Sequence, residues 1–219
     1  MNFSDSAVVL VKRDIREADR IVSVYTRSRG RMNLRFPGVN RPLARLKAIT
    51  EPFVCSDIRI YMRAGSCSGV ATGGKINSVF PKLRRDARKT RLALHFCELM
   101  YRMTPELQIN EDKFFLLVNV LEFLETNEPV PSTRAAFTFR LMRLAGFGLS
   151  DPVLGISRQF WDRLHEADFA ALDFASPAEK EELLKSEYVI SRFIARTFPQ
   201  GIRTAEAFEN PRYAQNLSL

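Results

Sequence analysis

The 219-residue sequence predicts an α+β protein of two domains, a small five-stranded β-barrel over residues 1–79 followed by an all-helical domain over residues 80–219. Three observations carry this. The apolar pattern alternates at the strand period up to about residue 78 and at the helix period after residue 80. Turn-forming residues punctuate the first part at short intervals. Charge is polarised across the same boundary: residues 1–91 hold 20 Lys+Arg against 7 Asp+Glu, an excess of +13, and residues 92–219 hold 13 against 18, an excess of −5.

The first strand is predicted at the apolar run Val8-Val9-Leu10-Val11 and the second at Ile21–Thr26, which is rich in β-branched and aromatic residues. The third, Arg31–Phe36, alternates cleanly. Met32, Leu34 and Phe36 lie on one face, and Arg31, Asn33 and Arg35 on the other. The fourth, Phe53–Met62, alternates Ile58, Ile60 and Met62 with Asp57, Arg59 and Tyr61. The fifth, Ser68–Asn77, is loosened by Gly69, Gly73 and Gly74. Ala71-Thr72-Gly73-Gly74-Lys75 lacks phosphate-loop spacing and reads as a twisted strand or bulge. Five short strands in about 75 residues have the size of an OB-fold, a barrel that commonly binds single-stranded nucleic acid.

From Phe80 a single helix is expected, with Leu83, Ala87, Thr90, Leu94, Cys97 and Tyr101 as its apolar stripe and a basic first half. Asn110 should cap a helix that is apolar almost all round, Phe114–Leu124. Ser132 is expected to cap a helix ending at Gly146, and Ser157 a short one bearing Phe160, Trp161 and Leu164. Ser176-Pro177-Ala178-Glu179 fits a capping box for a helix running to about Thr197.

No apolar stretch reaches membrane-span length, and the start Met1-Asn2-Phe3-Ser4-Asp5 lacks the basic and apolar regions of a secretory signal. The three cysteines, Cys55, Cys67 and Cys97, form no C-x-x-C pair, suit a reducing cytosol and are expected to be small apolar fillers. His95 and His165 stand apart from metal-ligand spacings, and no nucleophile-elbow, zinc-protease or Walker motif occurs. A non-enzymatic protein without cofactor or metal is therefore expected.

The positive signal is cationic. Arg27, Arg29 and Arg31 straddle a turn at Gly30; Arg35, Arg41, Arg45 and Lys47 follow; Arg84, Arg85, Arg88 and Lys89 lie just past the barrel. Arginine's planar fork suits phosphate, and Tyr25, Phe36 and Tyr61 are available for base stacking, although Phe36 shares the apolar face of its strand and is expected in the core. Two other readings stay open: an RNA-binding OB protein, and a metal-dependent nuclease using Asp14, Glu17 and Asp19.

The order of motifs resembles the RecO family of bacterial recombination mediators. Arg16-Glu17-Ala18-Asp19-Arg20 is similar to its glycine-Glu-Ala-Asp-basic element, with Arg16 in place of the glycine. Thr26–Arg31 resembles its threonine-glycine-basic turn, and Pro37–Pro42 with Arg45-Leu46 its basic glycine loop. Glu51-Pro52-Phe53 matches its acidic-Pro-Phe element, and Phe137–Phe147 its helix ending in Gly-aromatic. The resemblance implies an N-terminal OB-fold, binding of single- and double-stranded DNA, annealing of complementary strands, and work with RecR and single-stranded DNA-binding protein (SSB) during RecA loading. It further implies a bacterial cytoplasmic, nucleoid-associated protein without membrane attachment, expected to be a monomer on its own. An apolar groove edged by arginine would take the acidic-aromatic SSB tail, with Phe137, Arg140, Leu141, Arg143 and Leu144 as candidates. Two departures stand out. Residues 149–158 carry none of the cysteines of the zinc element found in many relatives, so no zinc is expected. Ala135-Ala136 also occupy positions where relatives often place Arg, with Arg134 nearby.

Overall fold

In the computed structural model, the described residues are 1–15, 17–147, 155–174 and 176–204. Five strands come first: β1 (Asn2–Ile15), β2 (Asp19–Thr26), β3 (Gly30–Phe36), β4 (Cys55–Met62) and β5 (Ser68–Ser78). They close into a barrel in the order β1-β2-β3-β5-β4, an OB-fold. Four of the five pairings are antiparallel; β3 and β5 run parallel through Asn33–Arg35 and Ser68–Val70.

β1 far exceeds the apolar run that predicts it, because it serves two neighbours. Asn2–Val8 pairs with β4, and Ala7–Ile15 pairs with β2 across a register shift between Val9 and Val11. Ala7 and Val9 face the barrel core. Val8 and Leu10 are also buried, outside that cluster, on a strand packed by a helix. A strand buried on both faces reads as a continuous apolar run. β3 follows its alternation: Met32, Leu34 and Phe36 enter the core beside Val22, Val24, Ile58 and Ile60. The Ala71–Lys75 segment is strand, with a register shift where Arg59 pairs Gly73 and Ile60 pairs Ala71. The extra residue there is Thr72, a β-bulge.

The helix expected from Phe80 is two helices, α1 (Pro81–Arg85) and α2 (Ala87–Met103). Asp86 breaks the run. Its backbone is extended (φ −103°, ψ 117°), and its carboxylate accepts from the Arg88 and Lys89 amides at 2.7 and 3.3 Å. Aspartate is a poor interior helix residue and a strong N-cap. Ala87, placed on the apolar stripe by periodicity, is exposed for the same reason. Asn110 caps α3 (Glu111–Thr126) by accepting from the Lys113 amide at 3.0 Å. Glu125 of α3 in turn accepts from the Lys82 and Leu83 amides at the start of α1.

The chain divides into two compact units, Met1–Thr126 and Asn127–Leu219, so α1–α3 group with the barrel. In the second unit, α4 (Pro131–Leu144) packs against both α5 (Arg158–Glu166) and α6 (Pro177–Thr197), with Phe139 of α4 against Trp161 of α5 at 5.0 Å between ring centroids. Ser157 caps α5, and the Ser176–Glu179 capping box opens α6. Ser132 is not the cap of α4: Pro131 already takes a first-turn position, and the buried Ser132 hydroxyl donates to the Leu172 carbonyl. α4 ends in a Schellman motif. Gly146 (φ +84°) donates to the Arg143 carbonyl and Phe147 to the Met142 carbonyl, both at 3.1 Å. The Arg16 position and residues 149–154 of the zinc comparison lie outside the described residues.

Candidate nucleic-acid interface

The barrel separates the basic constellation. β3 is seven residues, about 20 Å of strand, and it puts the Arg27–Arg31 turn at one end and the Arg41–Lys47 loop at the other.

At the first end the arginines are engaged by the chain itself. Arg31 Nε donates to the Thr104 carbonyl at 2.7 Å, its Nη1 lies 3.3 Å from Glu106, and its guanidinium covers the Tyr101 ring at 4.9 Å. Arg27 pairs with Glu111 and lies over Phe115. Arg29 stacks on Phe3 at 4.0 Å. The segment holding them runs along β3, with an isolated parallel bridge between Arg31 and Glu106 and a 2.8 Å bond from the Leu107 amide to the Arg31 carbonyl. It comes so close that a Cβ on Gly30 (φ +72°) would sit 2.1 Å from the Gln108 carbonyl oxygen.

At the other end, Arg41, Arg45 and Lys47 are exposed, and among the described residues none has a carboxylate partner. Their loop is fastened from beneath. Arg20, only 6% exposed, donates to Asp14, Thr50 and Glu51, and Glu51 also accepts from Lys12. The Arg20 bond, with Asn40, holds the Asp14 carboxyl below its ordinary range. Arg35 pairs with Asp19 at 2.6 Å, and Asp19 also accepts from the Gly38 amide at 2.8 Å. Asp14 and Asp19 are therefore engaged in bracing this loop. Among the described residues no three His, Cys, Asp or Glu side chains gather as a metal site.

Past the barrel, Arg85 is exposed, and Arg88 is exposed beside Asp86 at 3.7 Å. Arg84 is bound inward: it donates to the Val79 and Pro52 carbonyls, each at 2.6 Å, and covers the Phe53 ring at 4.1 Å. Burial pulls its pKa down. Lys89 is 7% exposed and buried on α2. Of the three stacking candidates, Tyr25 is fully buried with its hydroxyl donating to the Asn110 carbonyl at 3.1 Å, and Phe36 is core. Tyr61 is exposed at 45%. Two further exposed cations outside the sequence-predicted set stand beside it, Arg59 and Arg63. Arg59 takes an outward position of the β4 alternation, and Arg63 follows the end of the strand. Cys67 is exposed rather than a filler, because it lies in the β4–β5 turn; Cys97 is buried and Cys55 half-buried.

In the second unit the groove candidates divide. Phe137 and Leu141 are fully buried, so they form core and not a groove edge. Arg140 donates to the Leu164 carbonyl at 2.8 Å and to that of Ala167, and burial brings its pKa down to about 10. Arg134 pairs with Glu187. Arg143 is exposed and Leu144 half-buried. His95 and His165 are buried, and His165 Nδ1 lies 2.9 Å from the Trp161 carbonyl. No helix among the described residues is long and apolar enough to cross a membrane.

Comparison with known proteins matches the same chain order. The family model described as Recombination protein O N terminal matches residues 1–79, and that described as Recombination protein O C terminal matches residues 84–150. The DNA repair protein RecO of Geobacter metallireducens is 33% identical over 144 residues, covering 66% of this chain and 58% of that protein. The DNA repair protein RecO of Pelotomaculum thermopropionicum is 33% identical over 152 residues, covering 66% and 56%. That of Desulforudis audaxviator is 31% identical over 153 residues, covering 70% and 59%. The matched stretch thus spans under three fifths of each of these relatives.

Proposed function

This chain belongs to the RecO family, and we propose that it is a DNA-binding recombination mediator of DNA repair that works by holding strands and not by covalent chemistry. The observation that carries the reading is the exposed Arg41, Arg45 and Lys47 loop on a closed OB barrel, without carboxylate partners among the described residues and braced from below by Arg20. Unpaired cations on a braced loop bind phosphate with little loss of conformational freedom, and counterion release supplies much of the affinity. Arg85 and Arg88 extend the cationic surface beyond the barrel, and Arg27, Arg29 and Arg35 contribute long-range field while internally engaged.

In this reading the protein binds single- and double-stranded DNA, screens phosphate repulsion so that complementary strands anneal, and acts with RecR and SSB in loading RecA. It does so as a monomer on the bacterial nucleoid. The exposed Arg143 beside Leu144 offers the cationic contact for an acidic SSB tail. A strand-annealing assay with and without SSB tests the reading. Acceleration of annealing, retained on SSB-coated strands, is the expected result. Annealing no faster than the spontaneous rate, or magnesium-dependent cleavage of the strands, would overturn it.

A further inference from the structure

The outer face of β4 carries a feature that the basic loop does not use. Arg59 and Tyr61 point outward on alternate positions, and exposed Arg63 follows one residue past the strand. Alternate strand residues stand about 6.7 Å apart, so the stripe presents a cation, a flat ring and a cation in sequence. Among the described residues, Arg59 and Arg63 have no carboxylate partner. This contrasts with Arg27, Arg31 and Arg35, each of which has one.

Clefts open on both sides of the stripe. One, of about 320 Å³, is lined by Tyr61, Arg63, Arg35, Ser66 and Ser68. The other, of about 520 Å³, is lined by Arg59, Asn2, Ser4 and Thr72. The bulge at Thr72 and the absence of a side chain at Gly73 let the Arg59 guanidinium lie flat along β5, since a Cβ on Gly73 would sit 2.4 Å from Nη2. Asp57, two residues before Arg59, accepts from Ser6 at 2.5 Å and bounds the cationic stretch. In the barrel order β4 lies between β5 and β1, and the two clefts reach Ile21 of β2 beside Tyr61 and Phe3, the ring under Arg29, beside Arg59.

We propose that the β4 outer face is a track for single-stranded DNA, in which Tyr61 stacks an unpaired base and Arg59 and Arg63 hold the flanking phosphates. A ring face exposed between two guanidinium groups suits an unstacked base and offers nothing to a base inside a duplex. The assignment rests on the reading of the protein as a DNA-binding mediator and adds a strand site separate from the Arg41–Lys47 loop.

The test places a reporter in the track. Tyr61→Trp is titrated with an oligothymidylate and with a duplex of equal length. The one native tryptophan, Trp161, is 2% exposed, and its signal in the unsubstituted protein serves as the baseline. The single strand quenches the new tryptophan and the duplex does not. Tyr61→Ala, which alters an exposed residue, weakens single-strand binding about tenfold, while Tyr61→Phe keeps it. Arg59→Ala with Arg63→Ala lowers the single-strand salt slope by about 1.4. An unquenched tryptophan at 61 while the oligomer binds, or full single-strand affinity in Tyr61→Ala, overturns the track and leaves the mediator reading standing. Failure of the unsubstituted protein to bind any single strand overturns both.

Discussion

Glu106 sits 3.3 Å from the Arg31 guanidinium and turns a residue with the sequence character of a DNA contact into a brace of the barrel end. The Arg31 side chain is 14% exposed and also bonded to the Thr104 carbonyl. The bond to the Thr104 carbonyl is one to a charged group, and such a bond contributes about 1.5–3 kcal/mol. Arg31→Ala should therefore lower stability by about that amount and leave the salt slope of duplex binding unchanged. Urea unfolding and a salt titration read the two effects separately. An unchanged midpoint with a shallower slope would return Arg31 to the interface.

The exposed loop should behave in the opposite way. Arg41→Ala, Arg45→Ala and Lys47→Ala together remove three cations with no internal partner. Each phosphate that the protein ceases to neutralise reduces the duplex salt slope by about 0.9, so the slope of the triple variant should fall by about 2–3. Its urea midpoint should stay within error of the parent, because Arg20, Thr50 and Glu51 still brace the loop. Parental affinity and slope in the folded variant would remove this loop from the binding surface.

Asp86 makes part of the stability depend on pH. The Lys89 and then the Arg88 backbone amides hold its carboxyl below the ordinary value of 3.8. A carboxyl lowered by folding contributes fully above its unfolded value, and that contribution drains away as pH falls through the folded one. Asp86→Ala should cost about 1 kcal/mol near neutrality, as the loss of an N-cap does. Asp86→Asn keeps a capping oxygen without the titration. Its stability difference from the parent should change between neutral and acid urea titrations, with the parent losing more on acidification. Parallel pH dependence in the two proteins would mean that the cap is not titrating.

In the second unit, Arg140 and Arg143 should separate structure from binding. Arg140→Ala strips two partly buried carbonyls of their donor and uncovers the Phe169 ring, so it should lower the melting temperature. Arg143→Glu alters an exposed side chain and should leave melting unchanged while weakening an SSB tail peptide in an anisotropy titration. Undiminished tail binding by Arg143→Glu would place that contact elsewhere.

Much of the fold was legible because it rests on local patterns. The Met32, Leu34 and Phe36 alternation marks β3 and its inner face, and Asn110, Ser157 and Ser176 announce the starts of α3, α5 and α6. The misreadings have equally local causes. Apolar spacing does not register a cap in mid-run, so periodicity runs straight through Asp86, and serine is a common cap residue whereas the N-cap of α4, Val130, has no capping side chain to mark it. The site was less legible. A basic residue looks the same in sequence whether it faces solvent or a carboxylate: Arg41 faces solvent, and Arg31 meets Glu106, which is 75 residues away.

By itself, then, the sequence determined the two-part α+β architecture, the excess of positive charge in the first 91 residues and the family resemblance, because period, composition and motif order are all properties of neighbouring residues. Tertiary structure alone decided which cations are available. Barrel closure, the segment between α2 and α3 and the start of α3 bring Glu106 and Glu111 onto one end of the constellation, leave Arg41, Arg45 and Lys47 open at the other, and expose Tyr61 between Arg59 and Arg63 while Tyr25 is buried. The physical reason is that charge pairing and burial depend on contacts between residues distant along the chain, and those contacts exist only once the barrel has closed.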